Sequence, residues 1–449
     1  MVNFRTDDTI VARATPAGRG GIAVIRVSGP AVQNIAIQLI GSLPSPRVAT
    51  LADFGYQETI DNGIALFFPG PHSFTGEDVL ELQVHGSPVI AEMLIEAICA
   101  AGARMAEAGE FSRRAFLNDK IDLTQAEAIA DLIDSSSRAA ARAAQRSLQG
   151  RFSTMVLDLN EQVTLLRVYV EAALDFPEEE IDFLSHEALL NRIKVLRNTF
   201  QSVEQTVRQG CLLRDGATVV LAGRPNVGKS SLLNALAGYD AAIVTAVEGT
   251  TRDLVKEQIE IHGLPINIVD TAGLRASDDE VEAEGIRRAQ RELLTADHAL
   301  ILVDASTVTS QEIDSLLDEV PAGTAYTVVR NKIDLTDEVP GNYAKDKNTL
   351  CVSALTGKGI DELRHHLEIC LGYQPATEGS IIARQRHLES LRKAQEHFET
   401  ACKVLAETAA GELMAEELLQ AQNALAEITG QFSSDDLLGR IFESFCIGK

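Results

Sequence analysis

The sequence predicts a multidomain protein in which α/β parts are combined with an all-α body, and three observations support this. The chain has 449 residues, which is too long for one ordinary hydrophobic core. Its composition, with 45% hydrophobic and 23% charged residues, is typical of folded globular proteins. Its hydrophobic period changes several times along the chain, from strand-like to helical and back. We therefore expect several folded parts with different secondary structure.

The first part, residues 1–118, is predicted to be a small α/β domain. The runs GIAVIRVSG, NGIALFFPG and DVLELQVHG are bounded by Gly and Pro and predict strands, and the stretch PVIAEMLIEAICAAG predicts one helix. Long amphipathic runs with helical spacing follow over residues 119–212 and return over 374–449. We expect these two segments to form one central helical bundle around an insertion.

The inserted part, residues 213–373, is predicted to contain a parallel sheet covered by helices. The apolar runs TVVLAG, PINIVDTAG, ALILVDAS and AYTVVRNKID alternate with helix-like segments. The segment GRPNVGKS, from Gly223 to Ser230, follows the first strand and precedes a helix. In that context its glycines let backbone N–H groups surround a phosphate, Lys229 supplies a positive charge, and Ser230 can bind Mg²⁺.

Four later motifs, GTTRD, DTAG, NKID and SAL, follow in the order of a Ras-like P-loop GTPase domain. Thr251 is placed to complete the Mg²⁺ shell with Ser230, and Asp270 to hold the ion through water. The Asp334 carboxylate suits the two N–H groups of a guanine edge. We therefore predict GTP and Mg²⁺ binding. The predicted GTP-binding residues are Asn226, Val227, Gly228, Lys229, Ser230, Ser231, Thr245, Ala246, Val247, Glu248, Gly249, Thr250, Thr251, Asp270, Thr271, Ala272, Gly273, Asn331, Lys332, Asp334, Ser353, Ala354 and Leu355.

Charge and cysteine content restrict the classes of function. Forty Lys and Arg against 65 Asp and Glu give a net charge of −25, the wrong sign for a surface that grips nucleic acid non-specifically. The chain has no apolar run of the roughly 18 residues that a membrane span needs, and its start lacks a signal-peptide pattern. The six cysteines show no C-x-x-C spacing. We expect a cytoplasmic protein with free thiols.

The chain resembles the tRNA modification GTPase family called MnmE or TrmE over essentially its whole length. The strings that carry the resemblance are TPAGRGGIAVIRVSG, FTGEDVLELQVHG, EFSRRAFLNDKIDLTQAEAIADLI, GRPNVGKSSLLNAL, GTTRD and the terminal DDLLGRIFESFCIGK. The last string is the most specific, because a generic GTPase does not need it. The resemblance implies that GTP hydrolysis drives a 5-carboxymethylaminomethyl-type (aminomethyl) modification of the wobble uridine of certain tRNAs. It also implies a homodimer and an FAD-dependent partner, GidA or MnmG, in a heterotetrameric or larger complex that shares the tRNA contacts.

The water-orienting group of hydrolysis is not fixed by spacing. Leu274 stands where Ras-like enzymes have a Gln, and it cannot orient water. The stretch ASDDEVEAEG offers acids downstream, among which spacing leaves Asp279, Glu280, Glu282 and Glu284 open. The resemblance implies Glu282 as the catalytic residue.

The resemblance also implies that K⁺ replaces an arginine finger when two GTPase domains meet. The matching K⁺ ligands are Asn226, Thr245, Val247 and Thr250. A cation there would neutralise charge that develops between the phosphates. Arg252 and Arg275 stay open as other sources of positive charge.

For residues 1–118 the resemblance implies constitutive dimerisation and binding of 5-formyl-tetrahydrofolate as a one-carbon donor. The matching folate positions are Arg26, Glu81, Lys120 and Lys449. Taken alone, the Gly-rich loops of this part are more simply explained as tight turns beside strands. Cys446 in the terminal CIGK could be a nucleophile or a packed thiol.

Two other functions stay open from the sequence. A ribosome-assembly GTPase acting on rRNA would use the same phosphate motifs, although the sequence has no Lys/Arg-rich tail or Gly-x-x-Gly clamp of a KH-like module. Alternatively, the N-terminal part could be an independent folate enzyme that the GTPase regulates.

Overall fold

The computed structural model describes residues 8–55, 58–175, 187–238, 256–270, 294, 296–318, 320–321, 323–342, 348–374, 379–408, 410–431, 435–443, 445 and 448. The chain divides into two units. The first comprises Met1–Ala130, Ser147–Phe200 and Ser390–Lys449, and the second comprises Asp131–Arg146 and Gln201–Glu389.

The first unit begins with a mixed sheet of six strands in the described residues. Its strands are β1 (Thr9–Arg13), β2 (Ile22–Ser28), β3 (Thr50–Phe54), β4 (Asp61–Phe68), β5 (Val79–His85) and β6 (Ala103–Met105). Their order is β3-β4-β5-β2-β1-β6, and only the β1–β6 pair is parallel. The helices of this part are α1 (Val32–Ile40), α2 (Pro88–Ala100) and α3 (Glu110–Leu117).

Strand β1 sends its side chains to two hydrophobic clusters. Val11 belongs to a core with Ile35 of α1 and Leu94 of α2. Ile10 belongs instead to a cluster with Phe111 of α3. Because successive strand residues point to opposite faces, α1 and α2 cover one face of the sheet and α3 covers the other.

Four helices follow in the sequence, between α3 and the first strand of the second sheet. They are α4 (Leu123–Ile133), α5 (Arg138–Leu148), α6 (Arg151–Asp175) and α7 (Glu187–Asp215). The last two are long, with 25 and 29 residues. Their length is typical of bundle helices, whose stability comes mainly from packing of one apolar face.

The second unit is built on a sheet of seven strands in the described residues, in the order β12-β13-β11-β10-β7-β9-β8. Its strands are β7 (Ala217–Ala222), β8 (Lys256–Ile261), β9 (Leu264–Asp270), β10 (His298–Asp304), β11 (Tyr326–Asn331), β12 (Gly341–Asn342) and β13 (Thr349–Cys351). The five inner strands are parallel, and β8 and β12 pair antiparallel at the two edges. Helices α8 (Lys229–Ala237), α9 (Ser310–Leu317) and α10 (Ile360–Cys370) and a 3₁₀ turn at Ile333–Leu335 complete this unit.

Both faces of the inner strands are covered. Leu300 of β10 packs in a core with Leu232 of α8 and Leu363 of α10. Its neighbour Ile301 faces the other side, in a cluster with Ile313 of α9. Such two-sided burial explains why the inner strands read as continuous apolar runs rather than alternating ones.

The chain then returns to the first unit through α11 (Gln385–Thr408), α12 (Gly411–Thr429) and α13 (Asp435–Glu443). Phe200 of α7 and Phe398 of α11 stack with ring centroids 5.2 Å apart. Beside them, two hydrogen bonds of 2.7 Å join the Arg197 guanidinium to the Glu399 carboxylate. Both helical segments of the chain therefore contribute to the packing of this unit.

The C-terminal segment packs on the helices that follow the first sheet. Phe442 of α13 and Phe445 lie in a cluster with Leu123 of α4. Gly109 makes room for this contact, since a Cβ there would lie 2.5 Å from the Phe442 carbonyl oxygen. The string DDLLGRIFESFCIGK thus ends in the same unit as the N-terminal sheet.

The predicted fold class is confirmed: a small N-terminal α/β part, a helical body and an inserted Ras-like P-loop domain. The predicted strands correspond to β2, β4 and β5 and to β7, β9, β10 and β11. The expectation of one helix in the N-terminal part was wrong, because α1 and α3 are also present. Within the described ranges, every helix is too short or too polar to cross a bilayer.

Candidate functional site

The loop between β7 and α8 adopts a conformation that its glycines make possible. Gly223, Asn226 and Gly228 have positive φ angles of 151°, 65° and 98°. At Gly223 a Cβ would lie 2.4 Å from the carbonyl oxygen of Leu302 on β10. Since only glycine tolerates both constraints, the loop can curve tightly and turn its N–H groups inward. This is the geometry of a phosphate-binding loop that leads into a helix N-terminus.

Lys229 is the first residue of α8, and its side chain reaches back over this loop. Its side chain is 7% exposed. Its Nζ donates hydrogen bonds to the carbonyl oxygens of Gly223, at 2.7 Å, and Arg224, at 3.3 Å. The ammonium is therefore held over the loop, where it can meet the charge of a nucleotide phosphate.

Asn331, at the end of β11, connects the phosphate loop to the loop after β13. It is 1% exposed. Its Nδ2 donates to the Val227 carbonyl oxygen at 2.9 Å, and its Oδ1 accepts from the Ala354 backbone N–H at 3.0 Å. One buried amide thus sets the distance between the loop that would hold phosphates and the loop that would hold a base.

Lys332 makes a second connection. Its φ is 68°, which is uncommon for a residue with a side chain. Its Nζ donates to the Asn226 carbonyl oxygen at 2.8 Å and to the Asp304 carboxylate at 2.7 Å. Burial raises the pKa of Asp304, but hydrogen bonds from Lys332 and Ser306 outweigh this and leave it below its ordinary value. Asp304 therefore stays ionised and anchors Lys332.

The predicted base-reading residues lie together. The Ser353 hydroxyl donates to Asp334 Oδ1 at 2.5 Å, and it accepts from the Thr356 N–H at 3.2 Å. Asp334 itself is exposed. Its carboxylate is therefore oriented by Ser353 and can still accept from a ligand. Leu355 is 83% exposed on the same loop.

The donor set at the start of α8 fits Mg²⁺, which prefers hard oxygen ligands. Ser230 is exposed in the first turn of α8, directly after Lys229. Its hydroxyl would hold the ion, and the ion would neutralise charge on the nucleotide phosphates. Asp270 is the last residue of β9, as predicted, and β9 pairs with β7 at Leu221. Thr251, the second predicted Mg²⁺ ligand, lies outside the described residues.

Other predicted residues also lie outside the described part of the chain. They are Thr245, Ala246, Val247, Glu248, Gly249, Thr250, Thr271, Ala272, Gly273, Glu282, Cys446 and Lys449, together with the alternatives Arg252, Arg275, Asp279, Glu280 and Glu284. The described residues Val227 and Ser231 flank Gly228, Lys229 and Ser230 in the phosphate loop and the first turn of α8.

In the first unit, Arg26 and Glu81 face each other on neighbouring strands. They are partners in the β2–β5 register, and Arg26 Nε donates to Glu81 Oε1 at 2.8 Å. The Arg26 guanidinium also lies over the rings of Phe74 and Phe111, 5.5 and 5.7 Å from their centroids. Lys120 is exposed.

A partly buried ion cluster that the sequence reasoning missed lies beside these residues. Glu110 is 0% exposed and accepts hydrogen bonds from Arg104 at 2.6 Å and Arg114 at 3.0 Å. Burial raises the pKa of Glu110, but the hydrogen bonds, that from Arg104 first, bring it below its ordinary value. Arg114 also donates to Asp8 Oδ1 at 2.7 Å. The cluster joins β6 and α3 to the residue before β1.

Two functional contacts of the second unit were also missed, namely the anchor of Lys332 by Asp304 and the loop-bridging role of Asn331. A signal for Asp304 was present, because it ends a strand, and the carboxyl ends of parallel strands carry ligand sites in such sheets. The signal could not show which side chain it contacts.

Fold and site together define a class. A parallel sheet with a phosphate loop after its first strand, and an Asn-Lys-Ile-Asp motif that is fixed to that loop, is the nucleotide site of a P-loop GTPase.

Comparisons with known proteins extend this to a family. Family models described as the GTP-binding protein TrmE N-terminus and the MnmE helical domain match residues 9–120 and 123–446. The tRNA modification GTPase MnmE of Nitrosococcus oceani is 53% identical over 448 residues, which cover 99% of this chain and 98% of that protein. The protein of the same name from Yersinia pseudotuberculosis is 55% identical over 452 residues, which cover 99% and 100%. The chain belongs to the MnmE family of tRNA modification GTPases and is a GTP hydrolase.

Among solved structures, Aquifex aeolicus Era bound to GDP and aluminium fluoride is 26% identical and covers 40% of this chain and 67% of its own, with a TM-score of 0.27. A score this low supports no inference about this chain.

Proposed function

We propose that this chain is a K⁺-dependent GTPase whose hydrolysis drives a 5-carboxymethylaminomethyl-type (aminomethyl) modification of the wobble uridine of certain tRNAs. In this proposal 5-formyl-tetrahydrofolate supplies a one-carbon unit, and an FAD-dependent partner, GidA or MnmG, carries the redox chemistry. The observation that carries the proposal is the similarity to relatives named tRNA modification GTPase, at 53% and 55% identity over 99% of the chain.

The proposed nucleotide site is supported by the fixed relation of its loops. Asn331 and Lys332 both bind main-chain oxygens of the phosphate loop. GTP would place its phosphates over Lys229 and its base against Asp334, and the exposed Asp334 carboxylate would accept both guanine N–H groups. A base without two donors at that edge would leave the carboxylate unpaired, which explains a preference for guanine.

For hydrolysis we propose Glu282 as the group that orients water, since Leu274 cannot do so. The proposed K⁺ ligands are Asn226, Thr245, Val247 and Thr250. Asn226 supports this in part, because it is exposed. The hydrogen bond from Lys332 to its carbonyl oxygen holds the main chain at this position. The ligand shell of the cation would be completed when the GTPase domains of two chains meet. Dimerisation would therefore activate hydrolysis.

The proposed folate site is supported by a convergence in the first unit. Arg26 and Glu81 lie side by side, and the nearby ring of Phe74, which is half-buried, offers apolar surface for a pterin. The C-terminal tail approaches β1, which pairs with β2, since a Cβ at Gly448 would lie 2.3 Å from the Arg13 carbonyl oxygen.

The tail contact bears on the remaining folate positions. Arg13 is the register partner of Ile25, the residue before Arg26. Lys449 follows Gly448 directly, and Lys120 lies against Gly76, where a Cβ would be 3.4 Å from the Lys120 side chain. We therefore propose Arg26, Glu81, Lys120 and Lys449 as folate-binding residues.

We further propose a homodimer through residues 1–118, a heterotetrameric or larger complex with the FAD-dependent partner, and a cytoplasmic location. The net charge of −25 supports tRNA contacts that are shared with the partner. We also propose the division into 1–118, 119–212, 213–373 and 374–449 as an N-terminal folate-binding and dimerisation domain, the first helical part, the inserted GTPase domain and the second helical part.

The test is mass spectrometry of tRNA nucleosides from cells that lack this chain. We expect the aminomethyl-type wobble uridines to disappear and to return when the gene is restored. Wobble uridines that are unchanged by the deletion would refute the proposed function.

A further inference from the structure

A cluster of metal-ligating side chains lies in the second unit, outside the nucleotide site. It consists of His298, His366 and Cys370, and one ligand atom from each lies within 4.8 Å of the other two. His298 is the first residue of β10, whereas Asp304 at the other end of that strand anchors Lys332. At about 3.3 Å per residue this places the cluster roughly 20 Å from that anchor.

The three ligands come from one helix and one strand, and their side chains meet. His366 and Cys370 are four residues apart on α10, so their side chains share one face of the helix. His298 comes from the neighbouring sheet and is 2% exposed. The ring planes of His298 and His366 are inclined at 75°, with centroids 6.4 Å apart. The three ligand atoms therefore converge from different directions.

Hydrogen bonds already join the ligand atoms. Thr327 Oγ1 is 2.8 Å from Nε2 of His298 and 2.8 Å from Nε2 of His366. Cys370 Sγ is 3.3 Å from the same His366 nitrogen. The Thr327 hydroxyl has only one proton to donate, so it serves one ring as donor and the other as acceptor.

One ring nitrogen of His298 stays outside this hydrogen-bond network. Nδ1 of His298 is buried and has no hydrogen-bond partner in the described part of the chain. A histidine kept only for core hydrogen bonding would normally satisfy both ring nitrogens. A metal on Nε2 would keep the ring proton on Nδ1 and so hold His298 in one tautomer.

The donor set selects the metal. Two imidazoles and one thiolate suit Zn²⁺, which is normally four-coordinate and tetrahedral. Cys370 is exposed and His366 is half-buried, so water can reach a fourth position. Binding would release the thiol proton of Cys370 to solvent and leave a thiolate on the ion. It would also replace both Thr327 hydrogen bonds by bonds to the ion, and the ring that donates to Thr327 would move its proton from Nε2 to Nδ1.

We propose that His298, His366 and Cys370 bind one Zn²⁺ ion, with water as the fourth ligand, and that this ion fastens α10 to β10. Helix α10 begins at Ile360, shortly after the base loop that contains Ser353. The ion would therefore hold α10, and with it the nearby loop that contains Ser353, to the sheet. It would not contact the nucleotide.

The test is a Co²⁺ titration of the full-length chain, stripped of metal with a chelator and kept reduced by a phosphine. We expect one Co²⁺ per chain with a thiolate-to-metal charge-transfer absorption, and Zn²⁺ should displace the Co²⁺. Cys370→Ser should lose the charge-transfer absorption, and His366→Asn should lose the stoichiometric site.

Matched controls are His365→Asn, the exposed neighbour of His366, and Cys402→Ser, a free cysteine of the first unit. Both should titrate like the unaltered chain. A chain without charge-transfer absorption, or a Cys370→Ser variant that keeps it, would overturn the proposal. GTP hydrolysis by each variant serves as the check of folding. Cys370 is exposed, so Cys370→Ser tests the site even if His366→Asn does not fold.

Discussion

At the scale of single residues, Asn331 and Asp334 have different roles although three positions separate them. Asn331 is buried and uses its amide to fix the two loops to each other. Asp334 is exposed and is oriented by Ser353. Substitution of Asn331 should therefore disturb the whole site, whereas substitution of Asp334 should change only which base is bound.

Asp334→Asn should convert the preference from guanine to xanthine nucleotides. An amide offers one acceptor and one donor, which match the N–H and C=O groups of xanthine but not the two N–H groups of guanine. GTP affinity should fall by about 1–3 kcal/mol, or roughly tenfold to a hundredfold, and XTP affinity should rise. Equilibrium titration with both nucleotides measures this.

Asp337→Asn is the matched control, because Asp337 is an exposed acid three residues further along. It should leave both affinities unchanged. If Asp334→Asn kept the affinity for GTP, Asp334 would not be the residue that reads the base.

Glu110→Gln should destabilise the first unit in a way that depends on pH. The pKa of Glu110 is lowered from 4.5 in the folded chain. The carboxylate therefore stabilises the fold above about pH 4.5, and this contribution is lost as the pH falls through the lower folded pKa. Near neutral pH the variant should lose about 1–3 kcal/mol, because buried Arg114 would lose one charged hydrogen-bond partner and keep only Asp8 and Glu77.

The difference between the two proteins should shrink as the pH falls below about 4.5. Native-state hydrogen exchange of the β1 and β6 amides reports the local free energy of unfolding. A difference that stays constant with pH would show that the carboxylate charge of Glu110 is not what stabilises these strands.

Residue roles were predictable where chemistry alone assigns them. Lys229 and Asp334 were found because a phosphate and a guanine edge each demand one kind of group. The Asp304–Lys332 pair was not found, because it joins the ends of two strands whose adjacency is fixed only by folding. Register likewise places Arg26 opposite Glu81, 55 positions apart in the chain.

At the scale of elements, the phosphate loop depends on glycines for space as well as for backbone freedom. Gly228 has φ 98°, and a Cβ there would lie 2.4 Å from Nδ2 of Asn331. Asn331 is buried and bonded on both sides of its amide, so it cannot move aside without loss of the connection between the loops.

Gly228→Ala should therefore abolish GTP binding, through both backbone strain and the clash with Asn331. Gly323→Ala is the matched control, since Gly323 has the same φ of 98° and a Cβ there would meet nothing within 4 Å. The control should cost only the strain of about 1–2 kcal/mol in stability and should bind GTP normally. Nucleotide titration and thermal unfolding distinguish the two. Normal GTP binding by Gly228→Ala would contradict the described packing of the loop.

Helices and strands could be predicted from the sequence in two cases. Either one face is exposed, which gives a periodic pattern, or burial gives a long apolar run. Strand β2 has such a run, and α2 has clear helical spacing. Strand β1 has five residues, four of them buried, so it shows no alternation. Helix α3 contains buried Glu110 and Arg114, and charged residues on a buried face hide the amphipathic pattern until their partners are known.

At the scale of the whole molecule, the proposed cation should govern the rate of hydrolysis. Replacement of K⁺ by Na⁺ should remove most of the GTPase activity, on the order of a hundredfold, because charge between the phosphates would no longer be neutralised. Steady-state phosphate release at constant ionic strength measures this. Equal rates in the two salts would show that hydrolysis does not need K⁺. Arg252 and Arg275 would then be the candidates for the positive charge near the phosphates.

Whole-chain similarity to tRNA modification GTPases connects the nucleotide site to the helical and N-terminal parts. The most direct measurement is therefore the wobble-uridine content of tRNA in cells whose own copy is deleted and replaced by either the unaltered chain or Lys229→Ala. Lys358→Ala, an exposed lysine of the base loop, is the matched control. We expect modified uridine with the unaltered chain and the control, and none with Lys229→Ala. Full modification with Lys229→Ala would show that GTP binding through this loop does not drive the reaction.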